Sequence, residues 1–270
     1  AKYDLEKCKQ IFKNLLLWLQ ENDCLNTTDN SNFSKLFEAK LNKEIRQSRI
    51  QDLKKSVLLN IFNNLLTKDD FECNLHKHFD NLKLLLRKRP MRNISGITSV
   101  TVILHPFPDG QKFSCKHDCF YCPNEPAHEG NNWQAQPRSY LFWEPAVQRA
   151  NRWEFNAIKQ MFDRLDGYFA NGHTIDKVEL IIEGGTFTEF PVPYLERFMR
   201  DLIYAANIYL AVRKLYPNYD NFEIGDLDLD LLKHIRKPGT VEEEIVINKT
   251  SKIHIIGNCI ETRPDAINKE

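Results

Sequence analysis

The 270-residue sequence lacks a net charge, because its 37 basic residues balance its 37 acidic residues. Any affinity for nucleic acid must therefore come from an uneven distribution of charge rather than from its total. The sequence also lacks a secretory signal and any apolar run near the roughly 20 residues that a membrane span requires. We therefore expect a cytoplasmic protein with no membrane partner.

The sequence lacks the even number of cysteines that a disulfide framework would use. It has seven cysteines, three of them clustered, which favours a reducing compartment. It also lacks an initiator methionine, since it begins at Ala1, and it ends soon after a strand-like run. These two features lead us to expect that the sequence is part of a longer protein.

The clustered cysteines are Cys115, Cys119 and Cys122, with the spacing C-x3-C-x2-C. This spacing lets a short loop turn three thiolates toward one metal centre. A closed iron–sulfur cluster takes four Cys ligands, so three thiolates on a 4Fe–4S cluster leave one iron free to bind another ligand. Two other interpretations stay open: a zinc site completed by His117 or by a distant cysteine, and three structural cysteines without a metal.

The first 90 residues carry apolar side chains at helical spacing. This periodicity predicts helices within residues 3–22, 36–45, 53–66 and 71–86, with a polar loop over 26–34. We assign these apolar stripes to a helical core.

The end of this helical region is basic. Lys83, Arg87, Lys88, Arg89 and Arg92 lie within ten residues of one another. Such a patch suits a phosphate backbone, because each neutralised phosphate releases a counterion. A solvated helix face is the alternative that the sequence leaves open.

Residues 91–270 alternate strand and helix patterns. Short, β-branched apolar runs predict buried strands over 97–104, 177–183 and 253–256. The cysteine loop follows the first strand, where α/β barrels place their chemistry. The second strand leads into Gly184-Gly185-Thr186, where two glycines would expose backbone groups to a ligand.

Three further expectations concern the connections in this half. A long helical run opens at Pro145 and stops near Gly172. Residues of about 214–240 are acidic and predict an irregular surface insertion. Cys259, beside the third strand, is expected to be buried rather than a metal ligand.

Short motifs in this half resemble those of a known family. The cysteine spacing, with Tyr121 before the last cysteine, is the pattern of radical S-adenosylmethionine (SAM) enzymes. Six segments also resemble, in the same order, the catalytic subunit of the Elongator complex (elongator protein three), which modifies the wobble uridine of tRNA. These segments are Lys88–Gly96, Cys119–Pro123, Gln136–Pro145, Ile175–Glu179, Gly184–Phe187 and Glu261–Asp265.

The resemblance implies an α/β fold, with a partial radical SAM (β/α) barrel over residues 91–270. An all-helical, tRNA-binding region would precede it over residues 1–90, with Arg89 and Arg92 near the tRNA. The implied cofactors are a 4Fe–4S cluster and SAM, and acetyl-CoA is the implied co-substrate. The implied ligands are Cys115, Cys119 and Cys122 for the cluster, Gly184, Gly185 and Thr186 for SAM, and Lys177 for acetyl-CoA, whose phosphates suit a cation.

The implied reaction is carboxymethylation of the wobble uridine at C5. SAM is cleaved at the reduced cluster, the resulting radical takes hydrogen from the acetyl-CoA methyl group, and the new carbon radical adds to the uridine. The extruded base would stack on an aromatic side chain, and the sequence does not choose among Phe120, Tyr121, Tyr140 and Trp143. The implied partners are tRNA, acetyl-CoA, and either other Elongator-type subunits or a second copy of the chain.

The sequence also departs from the family pattern. Elongator proteins place their first cluster cysteine farther upstream, whereas Cys115 lies four residues before Cys119. The chain thus resembles a divergent member, and two alternatives stand beside the main hypothesis. One is a radical SAM enzyme with a different substrate, and the other is a catalytically idle tRNA-binding subunit that holds zinc.

Overall fold

A computed structural model describes residues 3–22, 30–88, 95–215 and 229–267. These residues form two compact units: 3–88 with 167–174, and 95–166 with 175–215 and 229–267. Within the described ranges, we find no helix that is both long and apolar enough to cross a membrane.

The first unit is helical, as the periodicity predicted. It contains α1 (Leu5–Glu21), α2 (Asn30–Ser48), α3 (Lys55–Asn64) and α4 (Phe79–Leu86). Asp4 caps α1, because its carboxylate accepts a hydrogen bond from the Lys7 backbone N–H at 3.2 Å. Phenylalanine and leucine side chains from all four helices fill one apolar core.

The predicted polar loop over 26–34 is wrong at its carboxyl-terminal boundary. Residues 23–29 lie outside the described residues, but α2 already begins at Asn30. Phe33 is 3% exposed and, together with Phe37 and Leu41, extends the apolar face of α2 at four-residue spacing. Burial of this face outweighs the weak helix preference of the Asn and Ser residues beside it.

The second unit is built on a parallel sheet of three strands in the order β1-β2-β3. The strands are β1 (Ile97–Ile103), β2 (Lys177–Glu183) and β3 (His254–Ile260), and both pairings are parallel. Parallel neighbours need crossover connections, so all three carboxyl ends meet at one edge of the sheet. The sheet confirms the three predicted strands and, with the helical first unit, the predicted α/β class.

The helical run after Pro145 is two helices rather than one. The helix α5 (Pro145–Arg152) ends before a tight turn, and α6 (Ala157–Ala170) begins after it. Glu154 and Phe155 have φ angles of 52° and 56° there, and the Phe155 N–H donates to the Ala150 carbonyl at 2.8 Å. Periodicity missed the break, because Phe155 returns its side chain to the core and keeps the apolar pattern.

The second unit continues with α7 (Val192–Leu215), α8 (Leu229–Ile235) and α9 (Val241–Asn248). The predicted irregular insertion is therefore wrong for residues 214–215 and 229–235, which are helical, whereas residues 236–240 are irregular. Leu232 on α8 is 1% exposed and lies in the same core as the sheet. Residues 216–228, which make up most of the predicted insertion, lie outside the described residues.

An ion pair joins Arg236, which follows α8, to the buried Glu244 of α9. Glu244 is 0% exposed, and Arg236 donates to both of its carboxylate oxygens at 2.6 Å. The Gly239 N–H and the Asn207 side chain donate to it as well. Burial alone would raise the pKa of Glu244, but these hydrogen bonds outweigh burial and lower it.

The expectation of a buried Cys259 is also wrong. Cys259 is exposed, and its neighbour Ile260 is 41% exposed. β3 lies at the edge of the described sheet, with only β2 paired to it. Its carboxyl-terminal half is therefore covered on fewer sides than that of β2.

Candidate metal and cofactor site

One cavity collects most of the residues that the sequence singled out. It has a volume of about 190 Å³ and lies where the carboxyl edge of the sheet meets the cysteine loop. We call it the cysteine pocket. Its lining residues are Cys115, His117, Cys119, Tyr121, Cys122, Arg138, Ser139, Tyr140, Gly185, Thr186, Glu261, Thr262 and Arg263.

The glycine turn after β2 packs directly against the cysteine loop. A Cβ atom on Gly185 would lie 2.7 Å from the Ser114 carbonyl oxygen, closer than packed atoms approach. The φ angle of Gly185 is +106°, which also favours glycine. On the next residue, Thr186 Oγ1 lies 3.1 Å from the Cys115 sulfur. The sequence predicted this turn, and the close approach explains why its residue is glycine.

Arg263 brings a cation to the second cysteine. It follows β3, and its Nη1 donates to the Cys119 sulfur at 2.8 Å. Asp265 holds the rest of the guanidinium through bonds of 2.9 and 2.6 Å. A guanidinium at this distance stabilises negative charge on sulfur.

Glu189 binds the cysteine loop through Lys116 and His117. Its carboxylate accepts hydrogen bonds from the Lys116 backbone N–H at 3.1 Å and from the Lys116 side chain at 3.0 Å. His117 Nε2 lies 2.9 Å from the same carboxylate. Burial alone would raise the pKa of Glu189, but the bonds from Lys116 lower it overall. One ring nitrogen of His117 is thus already bound, which leaves only Nδ1 free for a metal.

Arg138 joins the cysteine loop to the segment that precedes α5. Its backbone N–H donates to Ser114 Oγ at 2.9 Å, and its side chain donates to Asp118 at 3.0 Å. Its guanidinium also lies 5.4 Å from the centre of the Phe113 ring. These contacts give the loop a fixed shape on both sides of Cys115.

A phenol and a carboxylate, Tyr140 and Glu261, form the remaining polar wall. Tyr140 donates a short hydrogen bond to Glu261, at the carboxyl end of β3. Glu183, the last residue of β2, lies nearby and is half-buried. Burial raises the pKa of Glu183 to about 7, with the charges of Glu261 and Glu144 adding to the effect.

The donor set of the pocket fits a cluster carried by several sulfurs. Three cysteines from one loop line the same cavity, and two arginines there can compensate thiolate charge. Across the described residues, no three His, Cys, Asp or Glu side chains converge closely enough to ligate a single metal ion. A multinuclear cluster binds its thiolates on different irons, so its ligands lie farther apart than those of one ion.

The structure does not bring Lys177 into the pocket. Lys177 is the exposed first residue of β2, and the glycine turn follows the last residue. Glu183 lies six positions after Lys177 in the strand, which corresponds to about 20 Å. Lys177 therefore lies at the opposite edge of the sheet.

The predicted RNA-binding residues belong to the first unit or lie outside the description. Lys83 and Lys88 are exposed, and Lys83 lies 6.0 Å from the centre of the Phe62 ring. Arg87 is half-buried, and its Nε finds no hydrogen-bond partner among the described residues. Arg89 and Arg92 lie outside the described residues.

The four aromatic candidates for base stacking differ in exposure. Tyr140 is 8% exposed and holds Glu261, so its ring faces are covered. Phe120, Tyr121 and Trp143 are 107%, 86% and 71% exposed. The structure thus removes Tyr140 from the candidates for an open stacking surface.

Sequence reasoning gave no role to Glu189, Arg138 or Arg263. Glu189 contacts residues more than 70 positions away, and Arg263 contacts a sulfur 144 positions away. Arg138 and Arg263 fall within segments that carried the resemblance, which was the available signal. Glu189 had no such signal, because only the fold brings it to the loop.

Comparisons with known proteins identify relatives of most of this chain. The tRNA uridine(34) acetyltransferase of Dehalococcoides mccartyi is 35% identical over 182 residues, which are 67% of this chain and 31% of that protein. Elongator complex protein 3 of Dictyostelium discoideum is 29% identical over 181 residues, 67% of this chain and 27% of that protein. The human protein of the same name is 34% identical over 134 residues, 47% of this chain and 24% of its own length.

Two further comparisons add little. No family model matches the chain. Among solved structures, the archaeal Methanocaldococcus infernus Elp3 with residues 1–46 deleted is 21% identical, with a TM-score of 0.38. That match covers 64% of this chain and 24% of the other chain, and a likeness this small supports no argument about the site.

The fold and the pocket define an α/β protein with a cysteine-lined site at the carboxyl edge of a parallel sheet. Similarity to these relatives shows that the chain belongs to the family of Elongator complex protein 3 and the tRNA uridine(34) acetyltransferases. The resemblance predicted from six short motifs is confirmed. The chain spans less than a third of the length of the curated relatives described above.

Proposed function

We propose that this chain forms the cofactor-binding part of a radical SAM enzyme that carboxymethylates the wobble uridine of tRNA at C5. The observation that supports this most directly is the cysteine pocket, where three cysteines and the glycine turn line one cavity. The relatives named tRNA uridine(34) acetyltransferase support the substrate class. Acetyl-CoA would be the co-substrate.

Each wall of the pocket has a proposed role. Cys115, Cys119 and Cys122 would hold a 4Fe–4S cluster, which when bound supplies the electron for cleavage of SAM. Backbone groups of Gly184 and Gly185, with the Thr186 hydroxyl, would bind SAM at the end of β2. Arg263, already on the Cys119 sulfur, would offset the negative charge of the thiolates. The protein's own contribution is thus to position the ligands and to balance their charge.

Acetyl-CoA and tRNA would reach beyond the pocket. Lys177 lies about 20 Å from the glycine turn, so it can bind only a distant part of a long ligand, such as the phosphates of coenzyme A. The basic residues Lys83, Arg87, Lys88, Arg89 and Arg92 are proposed to contact the tRNA backbone. Other Elongator-type subunits, or a second copy of this chain, are the proposed protein partners.

The first test is SAM cleavage by protein reconstituted with iron and sulfide without oxygen. With dithionite, the wild-type protein should release 5′-deoxyadenosine from SAM. Cys119→Ala should abolish this release, whereas Cys73→Ala should not, because Cys73 is exposed and belongs to the first unit. Cleavage that survives Cys119→Ala would contradict the ligand assignment. A colourless protein that binds zinc would favour the idle tRNA-binding subunit.

The second test concerns the substrate. Mass spectrometry of nucleosides from tRNA incubated with acetyl-CoA, SAM and the reconstituted protein should detect a carboxymethyl adduct on uridine. Protein that cleaves SAM but gives no adduct would favour a radical SAM enzyme with a different substrate.

A further inference from the structure

A second groove lies beside the cysteine pocket in the same unit. It has a volume of about 360 Å³, and its lining includes Asn132, Gln134, Phe142, Trp143, Gln148 and Arg152. We call it the Trp143 groove. Its lining residues include amides, one cation and two aromatic rings, but no carboxylate. The function proposed above assigns no role to it.

The amide side chains of the groove have free hydrogen-bonding groups. Asn132, Gln134 and Gln148 make backbone hydrogen bonds, but their side-chain amides find no partner among the described residues. Asn132 and Gln134 are also exposed. Each amide offers both donors and an acceptor, which is the pattern that the edge of a nucleobase presents.

Trp143 provides a flat apolar surface that is open to solvent. Its side chain is 71% exposed, and its ring packs edge-to-face on buried Phe142 with the ring centres 5.1 Å apart. The Phe142 backbone N–H donates to the Glu125 carboxylate at 2.7 Å. Glu125 in turn accepts from Asn131, which is 0% exposed. The exposed ring of Trp143 therefore lies on a buried support and offers a face on which a base can stack.

Arg152 adds a cation at the rim of the groove. Its side chain is 63% exposed, and its ion-pair partner Asp163 lies at 4.0 Å, the outer limit for such a pair. A phosphate could therefore bind the guanidinium without breaking a strong contact. Lack of acidic lining residues favours the same negatively charged class of ligand.

The groove and the cysteine pocket share one segment of chain. Tyr140 lines the pocket, and Trp143, three positions further along the chain, lines the groove. Three residues span at most about 11 Å. Stacked nucleotides advance about 3.4 Å each along one strand, so a base in the groove and a base at the pocket can belong to one short single strand.

We propose that the Trp143 groove binds one unpaired nucleobase of the RNA substrate, a near neighbour of the base presented to the cysteine pocket. The base stacks on Trp143, its edge meets the amides of Asn132 and Gln134, and its phosphate meets Arg152. This inference rests on the proposed function for the identity of the RNA. It adds a site that positions the substrate and takes no part in bond breaking.

The test measures RNA binding and needs no cluster. A fluorescein-labelled single-stranded RNA of about seven nucleotides, with a central uridine, is titrated against the 270-residue chain. Trp143→Ala should weaken binding by about 5- to 150-fold, the range that base–aromatic stacking gives. Trp143→Phe should keep most of the affinity. Arg152→Gln should reduce the slope of log affinity against log salt concentration by about one, the value for one lost phosphate contact.

Trp133→Ala is the matched control. Trp133 is 72% exposed, close to the value for Trp143, but it does not line the groove. Its replacement should leave the affinity unchanged. Equal losses for both tryptophans, or an unchanged affinity in Trp143→Ala, would overturn the proposal. Binding of a fully paired, blunt-ended RNA duplex with the same dependence on Trp143 would also overturn it.

Failure of this inference is distinguishable from failure of the proposed function. SAM cleavage is measured without RNA, and RNA binding is measured without iron. RNA binding that depends on Trp143 in a protein that cannot cleave SAM supports the groove and overturns the catalytic proposal. If the protein cleaves SAM but its RNA binding does not depend on Trp143, only the proposal for the Trp143 groove is overturned.

Discussion

The substitution Gly185→Ala adds one methyl group where the turn after β2 meets the cysteine loop. The added Cβ would lie 2.7 Å from the Ser114 carbonyl oxygen and 3.1 Å from its hydroxyl oxygen. Ser114 is 0% exposed, so it cannot move aside into solvent. The φ angle of +106° adds a second cost, because alanine rarely adopts it.

These two costs set the size of the effect. A strained backbone position costs about 1–3 kcal/mol, and overpacking of a filled site costs about 1–3 kcal/mol. We expect Gly185→Ala to lower the free energy of unfolding by roughly 2–6 kcal/mol. Relief of the clash would shift Ser114 and the adjoining Cys115, so less iron should bind after reconstitution.

The assay is urea unfolding followed by circular dichroism, with iron content measured on the same preparations. Gly167→Ala is the matched control, because Gly167 lies inside α6 and an added Cβ would meet nothing within 4 Å. That control should gain about 0.5–1 kcal/mol, as alanine does over glycine in a helix. If Gly185→Ala unfolds at the wild-type urea concentration and loads iron normally, the packing of this turn on the loop is not as described.

Three further predictions concern carboxylates. Glu244→Ala should lower the free energy of unfolding in urea by about 3–5 kcal/mol, because it leaves the partly buried Arg236 without its partner. The control Glu242→Ala, at an exposed position, should lower it by less than about 1 kcal/mol. Equal losses in the two variants would contradict the role of this ion pair. Glu183 has a raised pKa, so its ionisation removes stability as the pH rises from about 4.5 to about 7. Glu183→Gln should therefore gain stability relative to wild type across that window, and a difference independent of pH would refute the assignment. Glu189→Ala should loosen the cysteine loop and increase the rate at which Cys119 is alkylated in iron-free protein. Mass spectrometry measures this rate. An unchanged rate would show that Glu189 does not fix the loop.

Local sequence signals predicted the framework of the second unit. β-branched runs marked all three strands, because buried parallel strands need apolar residues on both faces. The chain order then placed the cysteine loop and the Gly184-Gly185 turn after neighbouring strands, which brings them to one edge of the sheet. The meeting of these two segments in one cavity could be anticipated from topology alone.

The sequence could not predict features that depend on long-range packing or on unusual backbone angles. The break between α5 and α6 occurs at Glu154 and Phe155, non-glycine residues with positive φ that carry no turn signal. Helix α8 has seven residues, and long-range contacts hold it to the core: Leu232 is buried, and the Tyr204 hydroxyl donates to the Leu232 carbonyl at 3.1 Å. The contacts of Glu189 also needed the fold.

The sequence also could not locate Lys177 relative to the pocket. Lys177 is the first residue of β2, and the glycine turn follows the last residue of β2. The full length of the strand therefore separates the two. Lys177 and the glycine turn are therefore close in sequence but far apart in the structure.

The central claim is that Cys115, Cys119 and Cys122 hold a 4Fe–4S cluster with one iron open to SAM. Electron paramagnetic resonance of oxygen-free, dithionite-reduced protein, with iron counted on the same sample, tests it most directly. We expect about four irons per chain and a signal that changes when SAM is added. A protein without iron, or a cluster whose signal ignores SAM, would contradict the claim.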